Sequence, residues 1–95
     1  MSSTVTVAIM SDPLAIDLRS PVPSYQQLAA QLRARITAGE IAPDEPLPSL
    51  TYIQQETGLA VTTIRRAIAL LVEEGIAYTV PGRGTYASRQ PGDPR

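Results

Sequence analysis

Two helical patterns separated by a single glycine-centred break constrain this chain more than any other feature. Ser49 precedes a short pattern carrying Ile53 that Gly58 closes, and residues 61–74 then repeat Ile64, Ala67, Ile68 and Leu71 on one stripe that ends at Gly75. A serine before the first apolar residue accepts from a free backbone N–H, and a glycine after the last one adopts the left-handed conformation in which helices stop. The stripe falls at the spacing of one helix face. Two helices joined by a turn as short as residues 58–60 form a helix-turn-helix.

The flanking segments extend this unit. Residues 24–27 read Ser-Tyr-Gln-Gln, so Ser24 is a candidate cap and Gln27 its capping-box partner. Leu28, Leu32 and Ile36 come next at i, i+4 and i+8 and Gly39 ends the pattern, predicting a helix of about 14 residues, roughly 21 Å long. The proline-rich residues 41–48 have room for little beyond a short extended piece around Leu47. Beyond Gly75, residues 76–80 read as a strand, Pro81-Gly82-Arg83-Gly84 as a turn and residues 85–88 as the returning strand. The expected fold is mainly α with a small β hairpin, a winged helix-turn-helix of three helices plus a wing.

Ninety-five residues hold one small domain. Its expected extent is residues 21–88. Residues 1–20 form an N-terminal extension, read as flexible or as a short strand: residues 4–9 alternate as TVTVAI, but the Asp12-Pro13 and Ser20-Pro21-Val22-Pro23 breakers separate them from the first helix. Residues 89–95, with two prolines and a glycine, are expected to be a disordered tail.

Composition removes whole classes of chemistry. With no Cys and no His, the chain lacks disulfides, thiolate and imidazole metal ligands, a Cys nucleophile and the usual general base near neutral pH. No spacing of carboxylates suggests acid-base catalysis, and Gly82-Arg83-Gly84 joins two strands without the helix and Lys of a nucleotide loop. No enzymatic activity, cofactor or metal is expected. The N-terminus lacks the basic start and long apolar run of a secretory signal, and no stretch is long enough to span a membrane, so the expected compartment is the cytoplasm.

The net charge of −1 does not suggest a polyanion partner, but its distribution does. Residues 1–59 carry three Arg against six acids, and residues 60–89 carry four Arg against two. Every basic residue is Arg, whose planar fork suits phosphates and base edges. Arg65 and Arg66 have no acidic residue three or four positions away on their helix, nor do Arg33 and Arg35 on theirs, and Arg83 is flanked by glycines. Unpaired Arg is what a polyanion-facing surface presents. The plainer reading, strongest for Arg33 and Arg35, is that surface Arg needs no partner in water. Glu73 and Glu74, at the end of the third helix where the macrodipole disfavours them, suit a helix that approaches a phosphate surface with its N-terminal turns alone. Of the four tyrosines, Tyr78 and Tyr86 are expected to brace the hairpin against the helices, with Tyr25 and Tyr52 at the rims.

Four segments together resemble the DNA-binding domain of the GntR family of bacterial transcription regulators: PSYQQLAAQLRARITAGEIAP, LPS at residues 47–49, TGLAVTTIRRAIALLVEEG at residues 57–75 and GRGTY at residues 82–86. The resemblance covers about residues 22–88 and implies that the third helix enters the major groove while the wing reaches the minor groove. On a helical wheel Val61, Thr62, Arg65 and Ala69 lie away from the apolar stripe and form the candidate reading face. Arg65 matches the family's DNA-contacting Arg and would read bases. Thr62 and Thr63 would support it or, equally, cap the helix in place of Ala60. Ser49 and Arg66 would hold phosphates, and Arg83, next to Gly84, would probe the minor groove.

Thr51 and Val61 stand where the family frequently has Arg, and Ala60 where Ser is usual. The resemblance implies a sequence-specific, double-stranded DNA-binding transcriptional regulator, a repressor acting by occupancy. Its operator would be near-palindromic, and a homodimer is one way to read both half-sites. Longer members carry an effector domain after the wing, for which none is evident here. The alternative reading is a winged-helix protein-interaction module with weak or no DNA binding, suggested by Thr51, Val61 and the acidic total.

Overall fold

The computed structural model describes residues 14–89. The expected strand at residues 4–9 and most of the expected tail lie outside them. Three helices, α1 (Ser24–Thr37), α2 (Leu50–Thr57) and α3 (Val61–Glu73), precede a two-stranded antiparallel hairpin of β1 (Ala77–Val80) and β2 (Gly84–Ala87). This is the winged helix that the periodicities predict. Its centre is aliphatic: Leu28 and Leu32 of α1, Ile53 of α2 and Ile64 and Leu71 of α3 are fully buried.

The break between α2 and α3 is made by backbone geometry. Gly58 has φ +74° and donates its N–H to the Gln54 carbonyl, a left-handed C-cap that an L side chain resists. Gly75 ends α3 in the same region, at φ +78°. Its N–H bonds Val72 O while the Ile76 N–H bonds Leu71 O, the paired closure of a Schellman motif that delivers the chain into β1.

The start of α1 departs from expectation. Pro23 occupies the N-cap with no side-chain capping bond, Ser24 is the first helical residue, and there is no capping box. Gln27 reaches backwards instead. Its Oε1 accepts from the Asp17 N–H at 2.8 Å, and its Nε2 donates to the Asp17 and Val22 carbonyls at 2.9 and 2.8 Å. One turn later Gln31 repeats the pattern on Ala15, accepting from its N–H at 3.0 Å and donating to its carbonyl. Two glutamines at i and i+4 thus clamp alternate residues of an extended segment, as a neighbouring strand would. The segment also inserts Leu14 into the core, 2% exposed, and Ile16 packs against it. An Asx turn comes next, in which the Arg19 N–H donates to Asp17 Oδ1.

The extended piece around Leu47 becomes a third edge of the hairpin. Asp44 and Leu47 donate their N–H groups to the carbonyls of Ala87 and Thr85, Ala87 donates to Glu45, and Pro46 bridges Tyr86. A proline has no N–H to give, and on an edge that costs nothing. Within the hairpin Ala77 pairs with Ala87 and Tyr78 with Tyr86. The alanines are buried against the helices. The tyrosines, one residue along each strand, take the other face, where their rings stack at 5.8 Å and the Tyr78 hydroxyl donates to Asp44 Oδ1 at 2.8 Å. They brace the hairpin against the residue 44–47 edge, not against the helices.

Candidate nucleic-acid interface

The exposed face of α3 is the line Thr62, Arg65, Arg66, Ala69 and Glu73, opposite the buried Ile64, Ala67 and Leu71. Val61 is half-buried, so of the predicted reading face Thr62, Arg65 and Ala69 are the fully open members. Thr63 is also half-buried, and neither threonine caps the helix: Ala60 is the N-cap and no side chain bonds the first turn.

Arg65 and Arg66 are neighbours in sequence but point about 100° apart around the axis, as 3.6 residues per turn requires. Arg65 looks into an open cleft of about 760 Å³ between the start of α2, the side of α3 and the tip of the hairpin. Ser49, Arg83 and Gly84 line the same cleft. Four of the seven residues singled out from the sequence therefore meet there, contributed by three separate elements. Thr62, Thr63 and Arg66 do not line it.

Each element holds its contribution in place. Ser49 is the N-cap of α2, its hydroxyl accepting from the Tyr52 N–H at 3.1 Å, which leaves the hydroxyl proton free to donate outward. Beside it lie the first N–H groups of α2, the positive end of the helix. Arg83 and Gly84 sit at the exposed tip, where the Arg83 N–H closes the turn on Val80 O. Among the described residues, neither Arg65 nor Arg83 makes a side-chain hydrogen bond or ion pair. Two guanidinium groups, the Ser49 hydroxyl and a helix start thus surround one groove with no carboxylate in its lining.

Arg66 lies on the other flank of α3, its guanidinium carbon over the Tyr25 ring at 4.1 Å from the centroid. Arg33 is not part of any unpaired set. It forms a two-pronged pair with Glu74, Nε to Oε1 and Nη2 to Oε2 each at 3.0 Å, joining α1 to the end of α3. That pair gives Glu74 a structural role that the sequence did not suggest. Sequence reasoning missed Thr79 and Thr85, whose side chains line the cleft and approach each other at 3.5 Å across the hairpin. The alternation of residues 77–80 carried that signal, since positions 77 and 79 share the face that meets the helices.

The chain matches the model of the family described as "Bacterial regulatory proteins, gntR family" over residues 24–87. It is 42% identical over 74 residues to the HTH-type transcriptional repressor NagR of Bacillus subtilis (strain 168), an alignment covering 78% of this chain and 30% of that protein. It is 35% identical over 75 residues to the HTH-type transcriptional repressor YtrA of the same organism, covering 79% of this chain and 58% of that one. The chain thus spans well under two thirds of the length of NagR and somewhat under two thirds of that of YtrA. Among solved structures, the AraR DNA-binding domain in complex with operator ORX1 superposes with a TM-score of 0.73 at 32% identity, over 81% of this chain and 99% of that one. YtrA of Sulfolobus acidocaldarius, a GntR-family transcription factor, also superposes at 0.73 and 32%, over 81% of each chain. With the family model matched over most of the described residues and the helices and wing superposing on DNA-binding domains of that family, this chain belongs to the gntR family of bacterial regulatory proteins.

Proposed function

We propose that this chain is a sequence-specific, double-stranded DNA-binding module that acts in the cytoplasm as a transcriptional repressor by occupying its operator. The observation that carries this reading is the cleft shared by Ser49, Arg65, Arg83 and Gly84, with its positive groups and no acid in the lining. Similarity to a DNA-binding domain solved on an operator supports it.

In this reading α3 lies in the major groove. Arg65 reads a base edge with its bidentate fork, and Thr62 and Thr63 support it from the same helix. Ser49 and the start of α2 hold a phosphate at the rim of the cleft. Arg66 holds a second phosphate, and Arg83 reaches the minor groove from the wing tip, where Gly84 leaves room for backbone approach. Two copies read a near-palindromic site as a homodimer, since one domain covers one half-site.

Selection of duplexes from a randomised pool, then anisotropy titration of the winner and a scrambled duplex, tests the reading. The expected outcome is an enriched near-palindrome that binds two chains per duplex. Its affinity should fall as salt rises, by a log-log slope of about −0.9 for each phosphate neutralised. Absence of both enrichment and salt-sensitive binding would exclude DNA as the partner.

A further inference from the structure

An α-helix with its side chains is about 10–12 Å across, close to the width of the major groove of roughly 12 Å, so a helix lying there has one sugar-phosphate strand along each flank. On one flank of α3 the cleft supplies Ser49 and Arg83. The other flank faces the first turn of α1, and there the cationic group is Arg66, held 4.1 Å over the centroid of the Tyr25 ring. Tyr25 is half-buried and packs against the aliphatic core, so its ring is a fixed surface. Its hydroxyl already accepts from Gln26 Nε2 at 3.1 Å.

We infer that Tyr25 is a positioning residue: its ring holds the Arg66 guanidinium against the first turn of α1 so that the group meets a phosphate of the DNA strand opposite the one in the cleft. The inference rests on the proposed DNA-binding function and adds α1 to the contact surface. A guanidinium has five N–H donors, and one held over a ring face keeps donors directed away from the ring that a phosphate oxygen can accept. The contact also removes part of the rotamer freedom that a free Arg surrenders on binding. Arg65, one residue earlier and about 100° away, faces the cleft and cannot serve this flank.

The test is a double-mutant cycle on the full chain with the selected duplex. Tyr25→Leu keeps an apolar side chain on the core and removes the π face, Tyr25→Phe keeps the face and removes the hydroxyl, and Arg66→Ala removes the cation. Tyr25→Leu is expected to raise Kd about two- to five-fold, on selected and scrambled duplex alike, as expected for an exposed cation-π contact. Tyr25→Phe should bind as wild type. In the Arg66→Ala background, which itself flattens the salt slope by about one, Tyr25→Leu should have no further effect.

A DNA-free readout accompanies it. The Arg66 Nε–H proton resonance should lie upfield under the ring in wild type and Tyr25→Phe and return to the free-arginine position in Tyr25→Leu. Wild-type affinity in Tyr25→Leu overturns the inference while leaving DNA binding intact. A Tyr25→Phe loss as large as that of Tyr25→Leu overturns it too, because the hydroxyl would then be the active group. An undiminished Tyr25→Leu effect without Arg66 does the same. Failure of the wild-type chain to bind any duplex removes the DNA-binding function first and this inference with it.

Discussion

Gln27→Ala removes three hydrogen bonds that tie residues 17 and 22 to the first turn of α1. All three lie at exposed positions, so water replaces the lost partners and each bond contributes near the low end of the usual net range, about 0.5 kcal/mol. The sum is about 1.5 kcal/mol, or roughly a twelve-fold change in an equilibrium. The Asp17 amide reports it directly, because its N–H donates to Gln27 Oε1 at 2.8 Å. Amide hydrogen exchange at Asp17 should accelerate about ten-fold in Gln27→Ala. The Ala15 amide, held by Gln31 Oε1, should accelerate less as long as Leu14 stays in the core. The melting temperature should move less than the roughly 4–8 °C that a global loss of about 1 kcal/mol gives a domain of this size, because the segment can undock while the helices stay packed. An Asp17 amide that exchanges at the unprotected rate in wild type, or at an unchanged rate in the variant, would refute the clamp.

Three further outcomes are expected. Arg65→Ala should cost about 1–3 kcal/mol on the selected duplex and much less on a scrambled one, measured by anisotropy; equal losses on both would remove its base-reading role. Glu74→Gln should lower stability to urea by about 0.2–1 kcal/mol, with most of the difference gone at high salt, since both partners of the Arg33 pair are about one third exposed. Ile64→Val should cost about 0.5–1.5 kcal/mol and Ile64→Ala about 2–5 kcal/mol in the same denaturation assay, since Ile64 is fully buried between the helices; near-neutral substitution would mean that α3 does not pack as described.

The elements were legible wherever the deciding interactions are local. The stripe of Ile64, Ala67, Ile68 and Leu71, the Ser49 cap and the glycine stop at Gly58 all depend on residues close to one another along the chain, and the structure has them as the pattern predicts except that Ile68 is only half-buried, at the cleft. The capping box at Ser24 failed for a physical reason that the motif does not contain. Gln27 has one amide, and the backbone of residues 17 and 22 uses both its donor and its acceptor. The pairing of Arg33 with Glu74 joins residues 41 apart, which no spacing along one helix encodes.

The sequence by itself determined three helices, a hairpin, an aliphatic core and an excess of Arg in residues 60–89, because backbone conformation depends on near neighbours and composition is additive. Tertiary structure decided what each cation is available for. The packing of α1 on α3 neutralises Arg33 with Glu74 and lays Arg66 on Tyr25. The docking of the hairpin beside α2 and α3 leaves Arg65 and Arg83 open on one cleft with Ser49. A guanidinium has the same charge in every one of these settings; what differs is the group that the fold places within about 4 Å of it, and no local pattern encodes that distance.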